Sequence, residues 1–304
     1  MRNTALALLL LFAVRVQAED PVDALRKQHN IPAAGLGIIR DGELREVRVY
    51  GASYDTVFNV ASLTKPVVTL LTMKLVSQGK WDLDEPLAKY WTDPDVAGDP
   101  RAAKLTTRHV LTHQTGFPNW RWMDESKKLQ FHFDPGSKHQ YSGEGFEYLR
   151  HALEKKFGKP LDALTKTYIF DPLGMRETKH EGPEPNAADD LLTTVEDYGR
   201  FAAWVIRGAD LPPALYADMV TPHATFQPDA AMGLGWEVHT NLPNGEYALI
   251  HSGADKDVRA LVMLFPKSKE GLVLLTNSDN GGEMYGKVVT DFLALGGEIM
   301  KRAH

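Results

Sequence analysis

Ala61-Ser62-Leu63-Thr64-Lys65-Pro66-Val67-Val68-Thr69-Leu70-Leu71-Thr72-Met73-Lys74-Leu75-Val76 is the stretch on which the fold turns. Val67, Val68, Leu70, Leu71, Met73, Leu75 and Val76 surround a helix almost completely, which predicts a central, buried helix from about Ser62 to Val76. Pro66 is tolerated only near a helix start, so it pins the N-terminus near Ser62. Gly79 and Lys80 suit the C-terminal end. Positions three apart share a helix face, so Lys65 reaches the Ser62 hydroxyl. A lysine beside a run that must be buried is badly placed for stability, which points to chemistry. A serine becomes nucleophilic when a base takes its proton, and a lysine serves as base only if burial or a nearby cation lowers its pKa from about 10.4. The spacing alone proves nothing, since Ser77-Gln78-Gly79-Lys80 repeats it. There the helix end explains both residues.

Outward from this helix, the pattern changes twice. Glu19 to Gln28 reads as a short helix. Gly35 to Arg40 and Glu43 to Tyr50 read as strands joined by an Asp41-Gly42 hairpin turn. Trp81 to about Gln227 reads as mainly helical, with a short helix ending at Leu111 behind Thr106 or Thr107, a second over Gly143–Phe157 and a third over Thr194–Arg207 capped by Thr193 or Thr194. After Pro228, strands are expected at Gly233–Val238, Ala248–His251, Ala260–Phe265 and Leu272–Thr276, then a helix over Gly282–Met300. The expected fold is α/β in the α+β sense: an antiparallel sheet flanked by helices, with an inserted helical subdomain. The sheet lobe spans about 19–78 and 228–304, and the helical lobe about 79–227, in one catalytic domain.

Composition narrows the class. The 304 residues are 43% hydrophobic and 24% charged, ordinary for a globular protein. Arg2, the apolar run Ala5–Val14 and Val16-Gln17-Ala18 read as a secretory signal cleaved after Ala18. The run is too short to span a bilayer; an uncleaved anchor or buried helix is the alternative. Export to the periplasm or medium is the expectation. Losing residues 1–18 takes the basic residues from 34 to 32 against 40 acids, so net charge moves from −6 to −8. That argues against a nucleic-acid partner. The absence of cysteine excludes thiol catalysis, iron–sulfur clusters and cysteine-bound zinc. No Gly-x-Ser-x-Gly elbow is present. His109 and His113 have a metal-ligand spacing but no third ligand, so no metal is assigned.

Two later motifs give Ser62 and Lys65 company. Tyr141-Ser142-Gly143 precedes a helix, and His251-Ser252-Gly253-Ala254 ends a strand. With Ser-x-x-Lys first, the order resembles the penicillin-recognising serine hydrolases: class C β-lactamases, DD-peptidases, D-aminopeptidases and related esterases. Leu111-Thr112-His113-Gln114-Thr115-Gly116, Asp171-Pro172-Leu173-Gly174-Met175 and Gly233-Leu234-Gly235-Trp236 also look like that family. The resemblance implies a β-lactamase/transpeptidase-like fold and cofactor-free hydrolysis of a small-molecule or peptide substrate through an acyl-enzyme. It makes Ser62 the acylated nucleophile and has Lys65 and Tyr141 share the base role. The N–H groups of Ser62 and Ala254 form the oxyanion hole. His251, Ser252 and Gly253 line the substrate. Gly143 stands where the family often has asparagine, so an amide is missing that Ser142 or Gln114 is expected to replace. His251 stands where β-lactamases carry lysine. Both departures move the expectation from a β-lactam toward an ester, a D-amino-acid or a cell-wall peptide substrate. A true β-lactamase or a binding protein that does not turn over is the alternative. Phe117, Trp120, Trp122, Phe131 and Phe133 read equally as core packing or as an aromatic wall over the cleft.

Overall fold

The computed structural model describes residues 19–302; the segment read as a signal lies outside them. Helix α1 (Pro21–Gln28) starts where Asp20 Oδ1 accepts the Val22 N–H at 2.8 Å. Strands β1 (Ala34–Arg40) and β2 (Glu43–Tyr50) follow, joined by Asp41 and Gly42, both at positive φ as a tight hairpin turn requires. After β3 (Phe58–Asn59), a 3₁₀ turn at Ala61–Leu63 leads into α2 (Thr64–Ser77). Then come α3 (Thr107–Leu111), α4 (Gly143–Phe157), α5 (Leu161–Thr165) and α6 (Asp171–Leu173). Next are β4 (Lys179–His180), β5 (Leu191–Thr193), α7 (Val195–Ile206) and α8 (Pro213–Val220). The chain closes with β6 (Ala224–Gln227), β7 (Ala230–Met232), β8 (Glu237–His239), β9 (Ala248–Asp255), β10 (Val258–Phe265), β11 (Glu270–Thr276), α9 (Tyr285–Phe292) and α10 (Gly296–Arg302).

Both ends of the described chain build one antiparallel sheet in the order β2-β1-β11-β10-β9-β8-β7-β6. Pairing of β1 with β11 (Ala34 opposite Thr276, Ile38 opposite Leu272) closes it. Successive side chains alternate between faces. Leu36, Ile38, Met263 and Leu274 pack with Val22, Val288 and Ile299 from α1, α9 and α10. On the other face Val262, Leu264, Val273 and Leu275 join Val67, Leu71 and Phe201 from α2 and α7. The sheet is therefore dry on both sides, which is why β10 and β11 are apolar runs rather than alternating ones. Helix α2 lies in the larger core, with Val67, Val68, Leu70, Leu71 and Met73 fully buried.

The sequence expectations hold for α2, α3, α4, α7 and the first hairpin; Thr106 and Thr194 are the caps. Four differ. Gly233–Trp236 is a turn between β7 and β8, not a strand. Gly235 has φ +72°, and a Cβ there would lie 2.0 Å from Thr69 Oγ1, so the turn presses directly on α2. The sheet resumes at Ala224, before Pro228, because Ala224 and Thr225 pair with Met232 and Ala231. The expected strand Ala248–His251 runs on to Asp255, since β10 pairs with it as far as Asp255 opposite Val258. The expected C-terminal helix breaks at Leu293–Leu295, where Gly296 abuts the Val289 carbonyl. The expected helical block also holds β4 and β5, which pair with β3 into a three-stranded sheet too short for a visible alternation.

Gly235→Ala therefore combines a strained φ with overpacking against Thr69. It is expected to cost roughly 2–4 kcal/mol in chemical denaturation. Thr69→Ala in the same chain should recover the packing part only.

Candidate active site

The first turn before α2 carries the nucleophile candidate. Ala61 holds φ +45° in a buried position, a conformation that costs a non-glycine residue about 1–2 kcal/mol. Asn59 Oδ1 accepts its N–H at 2.7 Å and holds it there. This kink turns Ser62 out of the core; neither the strain nor Asn59 was visible in the sequence. Lys65, one helical turn on, is 1% exposed. Its Nζ lies 3.0 Å from Ser62 Oγ and donates to the Ala188 carbonyl at 2.8 Å. Desolvation brings its pKa down to about 7, against the opposing pull of the Asp189 and Glu147 carboxylates. The rival pair is separate: Ser77 Oγ donates to the Lys74 carbonyl, and Lys80 Nζ to the Tyr168 hydroxyl.

Tyr141 packs over the same amine, with Lys65 Nζ 4.8 Å from its ring centroid. Desolvation pushes its hydroxyl well above the ordinary phenol value, and the neighbouring Ser62 hydroxyl only partly offsets this. His113 stacks on Tyr141 at 4.2 Å between centroids. The His113 Nδ1 accepts the Ser142 N–H at 3.1 Å, and burial keeps the ring neutral. His109 lies in the capping box of α3. Both histidines are thus committed within the fold.

Strand β9 brings the third motif alongside. His251 is buried 6.4 Å from the Tyr141 ring, and its Nδ1 donates to the Ser252 carbonyl. Burial, then the Lys65 charge, lowers its pKa to about 4, so at neutral pH it carries no charge. Gly253 lies against Val60: a Cβ there would be 2.2 Å from the Val60 carbonyl. Alternation places the exposed Ser252 side chain on the opposite face from His251. The two-residue turn after Asp255 makes Asp255 and Val258 a hydrogen-bonded pair, so Ala254, opposite Arg259, points its N–H off the free edge of β9. The Ser62 N–H heads a helical turn and has no acceptor among the described residues. Two backbone donors therefore flank Ser62, an arrangement suited to a developing oxyanion.

Ser62, Lys65 and Ala254 line a cleft of about 350 Å³. Trp120, Trp122 and the carboxylates of Asp189 and Asp255 line it too; the sequence reading missed both acids. The aromatic cluster divides: Trp120 and Trp122 face the cleft, whereas Phe117 and Phe131 pack together in the core at 4.5 Å. Gln114 is not brought to the cleft; its side chain bonds the Gly136 carbonyl and Thr112. Ser142 is turned inward as the cap of α4, donating to the Pro118 carbonyl. Neither replaces the missing amide. Gly143 has no room for a side chain, since a Cβ would lie 2.8 Å from the Trp120 ring.

A family model described as Beta-lactamase matches residues 18–290. Among curated proteins, the esterase EstB of Burkholderia gladioli is 29% identical over 199 residues, 53% of this chain and 50% of its own length. The D-alanyl-D-alanine-carboxypeptidase/endopeptidase AmpH of Escherichia coli K12 is 27% identical over 190 residues, 53% and 48% respectively. The chain spans about half the length of these relatives. A penicillin binding protein from Bacillus halodurans superposes with a TM-score of 0.75 at 18% identity, over 90% of this chain and 100% of that one. A D-stereospecific amidohydrolase from Streptomyces gives 0.72 at 20%, over 86% and 98%. These structures share the fold: the antiparallel sheet with its helical insertion is the β-lactamase/transpeptidase-like fold. With the family model spanning nearly all the described residues, this chain belongs to the beta-lactamase family.

Proposed function

We propose that this protein is an exported serine hydrolase that cleaves esters or amides through an acyl-enzyme on Ser62. The observation that carries the reading is the buried Lys65 amine, 3.0 Å from Ser62 Oγ with its pKa lowered to about 7. At neutral pH much of it is the free base. It takes the Ser62 proton as the oxygen attacks the substrate carbonyl. The Ser62 and Ala254 N–H groups receive the oxyanion. Burial disfavours a tyrosinate at Tyr141, so rather than sharing the base role it relays a proton, giving one to the leaving group as it takes one from the Lys65 ammonium, which restores the free amine. Water then attacks the acyl-enzyme; the free Lys65 amine takes its proton and returns it to Ser62 Oγ as the acid leaves. No step calls for a cofactor. Export rests on the signal-like pattern of residues 1–18; among the described residues no helix is long and apolar enough to cross a membrane.

Charge selects among substrates. A β-lactam or a C-terminal peptide presents a carboxylate near the scissile bond. Here His251 is neutral, and Asp189 and Asp255 add negative charge to the cleft. This favours neutral or cationic esters and amides, including D-amino-acid derivatives and internal peptide bonds. Like-charge contact costs several kcal/mol, so kcat/KM for a neutral phenyl ester should exceed that for a chromogenic cephalosporin by about 100-fold or more. Equal rates would return the protein to the β-lactamases.

The nucleophile is tested by Ser62→Ala, expected to lower ester hydrolysis by roughly 10⁴-fold or more. Tyr141→Phe should lose on the order of 10²-fold. Stable labelling of Ser62 by a fluorophosphonate, with no turnover of any ester or amide, would make the protein a binding or sensor protein instead.

The pH profile follows from Lys65. The amine is active when unprotonated, so kcat/KM should rise through an acid limb near pH 7 and stay flat above it. The Asp189 carboxylate raises the Lys65 pKa, so Asp189→Asn should move that limb to lower pH. A limb that stays put in this variant would remove Lys65 as the titrating base.

A further inference from the structure

The structure supplies an amide to the cleft from two places other than position 143, and we infer that Asn119 and Asn186 together bind a carbonyl oxygen on the acyl side of the substrate. The inference rests on the hydrolase reading above and names its substrate class: acyl groups that carry an amide, as in N-acylated amino acids and peptides, rather than simple alkanoyl groups.

Both side chains line the cleft that Ser62 opens onto. Asn119 Oδ1 accepts the Gly143 N–H at 2.9 Å, and its own carbonyl accepts the Glu144 N–H at 3.0 Å. Only an oxygen can accept from a backbone N–H, so the orientation of the carboxamide is fixed and Nδ2 is the free end. Asn186 repeats the arrangement from another loop. Its Oδ1 accepts the Ala188 N–H at 2.6 Å, which again leaves Nδ2 free. Neither Nδ2 has a protein acceptor at this cleft among the described residues. Each is a neutral donor held in place before any ligand arrives.

The surroundings explain why the donors come from these positions. The Trp120 ring fills the space over Gly143, so a side chain there is excluded. Residue 119, immediately before that tryptophan, is tied to Gly143 by its own hydrogen bond and lies beside the same space. Asn186 belongs to the loop whose Ala188 carbonyl holds Lys65, so a ligand oxygen on Asn186 sits next to the catalytic amine. Two further polar side chains on these walls, Asp189 and Asp255, are acceptors when ionised and repel a carbonyl oxygen. Beside the indole N–H groups of Trp120 and Trp122, the two asparagines are the neutral side-chain amide donors on this cleft.

The test compares two esters of matched length, phenyl N-acetylglycinate and phenyl pentanoate. The first carries an amide carbonyl where the second has methylenes. Wild-type protein should prefer the first in kcat/KM. Asn119→Asp and Asn186→Asp keep the acceptor that anchors each side chain and delete the donor. Each should reduce the ratio of the two kcat/KM values roughly tenfold, the factor equivalent to about 1.4 kcal/mol for one hydrogen bond. The assays are run above the acid limb, so that an added carboxylate does not act through Lys65. No wild-type preference overturns the inference and leaves the hydrolase reading standing. The same holds if the variants change both rates in proportion, since the asparagines would then be structural only. Failure of wild-type protein to turn over any ester or amide overturns the hydrolase reading itself, and the inference with it.

Discussion

Lys65 is a cation-forming group almost wholly removed from solvent, 1% exposed. An isolated ammonium is costly in such a place, and the physical response is loss of the proton. The rest of the structure can be read as what makes that burial possible. Helix α2 is wrapped in apolar side chains on all faces, so its first turn has a dry environment. Sheet and helices close over it from both sides. The amine keeps two hydrogen-bond partners, Ser62 Oγ and the Ala188 carbonyl, so burial does not leave it unsatisfied.

The second of those partners comes from a loop more than a hundred residues away, and that loop is itself fastened at several points. Glu147 Oε1 accepts the Ala187 N–H, Asp190 Oδ2 the Asn186 N–H, and Thr64 Oγ1 the Leu191 N–H. Thr64 and Lys65 are neighbours in α2, so one helical turn both positions the loop and is positioned by it. Asp190 also pairs with the buried His180 at 2.6 Å. A catalytic amine that must stay near one oxygen is thus held by a network reaching into α4, β4 and β5.

The electrostatics of the cleft run one way. The histidines around Tyr141 are neutral because they are buried, while the cleft wall carries the carboxyl groups of Asp189 and Asp255, the former partly desolvated with its pKa raised. His251 thus gives this cleft no cation, and Asp189 and Asp255 give it two carboxyl groups. Shape follows the same logic: Trp120 occupies the volume over Gly143, so a local change in one motif and a bulky residue in another loop are a single adjustment.

The sequence by itself determined the central helix, the first hairpin, the apolar strands β10 and β11, and the identities of Ser62, Lys65, Tyr141 and His251. The helix, the hairpin, the strands and the Ser62–Lys65 pair rest on short-range regularities, namely periodicity, a turn pair and a spacing of three within a helix, whereas Tyr141 and His251 were singled out by the resemblance of their motifs to a known family. It also showed where the motifs depart from their relatives, at Gly143 and His251. Tertiary structure decided the rest. The Ala61 kink is imposed by contacts around it, and its sequence carries no sign of strain. Gly233–Trp236 has a strand's composition, yet packing against Thr69 makes it a turn. Asn119, Asn186, Asp189 and Asp255 belong to no motif and are far apart in the chain, so only closure of the two lobes makes them neighbours of Ser62. The proton preferences of Lys65, Tyr141 and His251 were open for the same reason. They depend on how completely each group is removed from water, and that is a property of the packed core rather than of any residue in it.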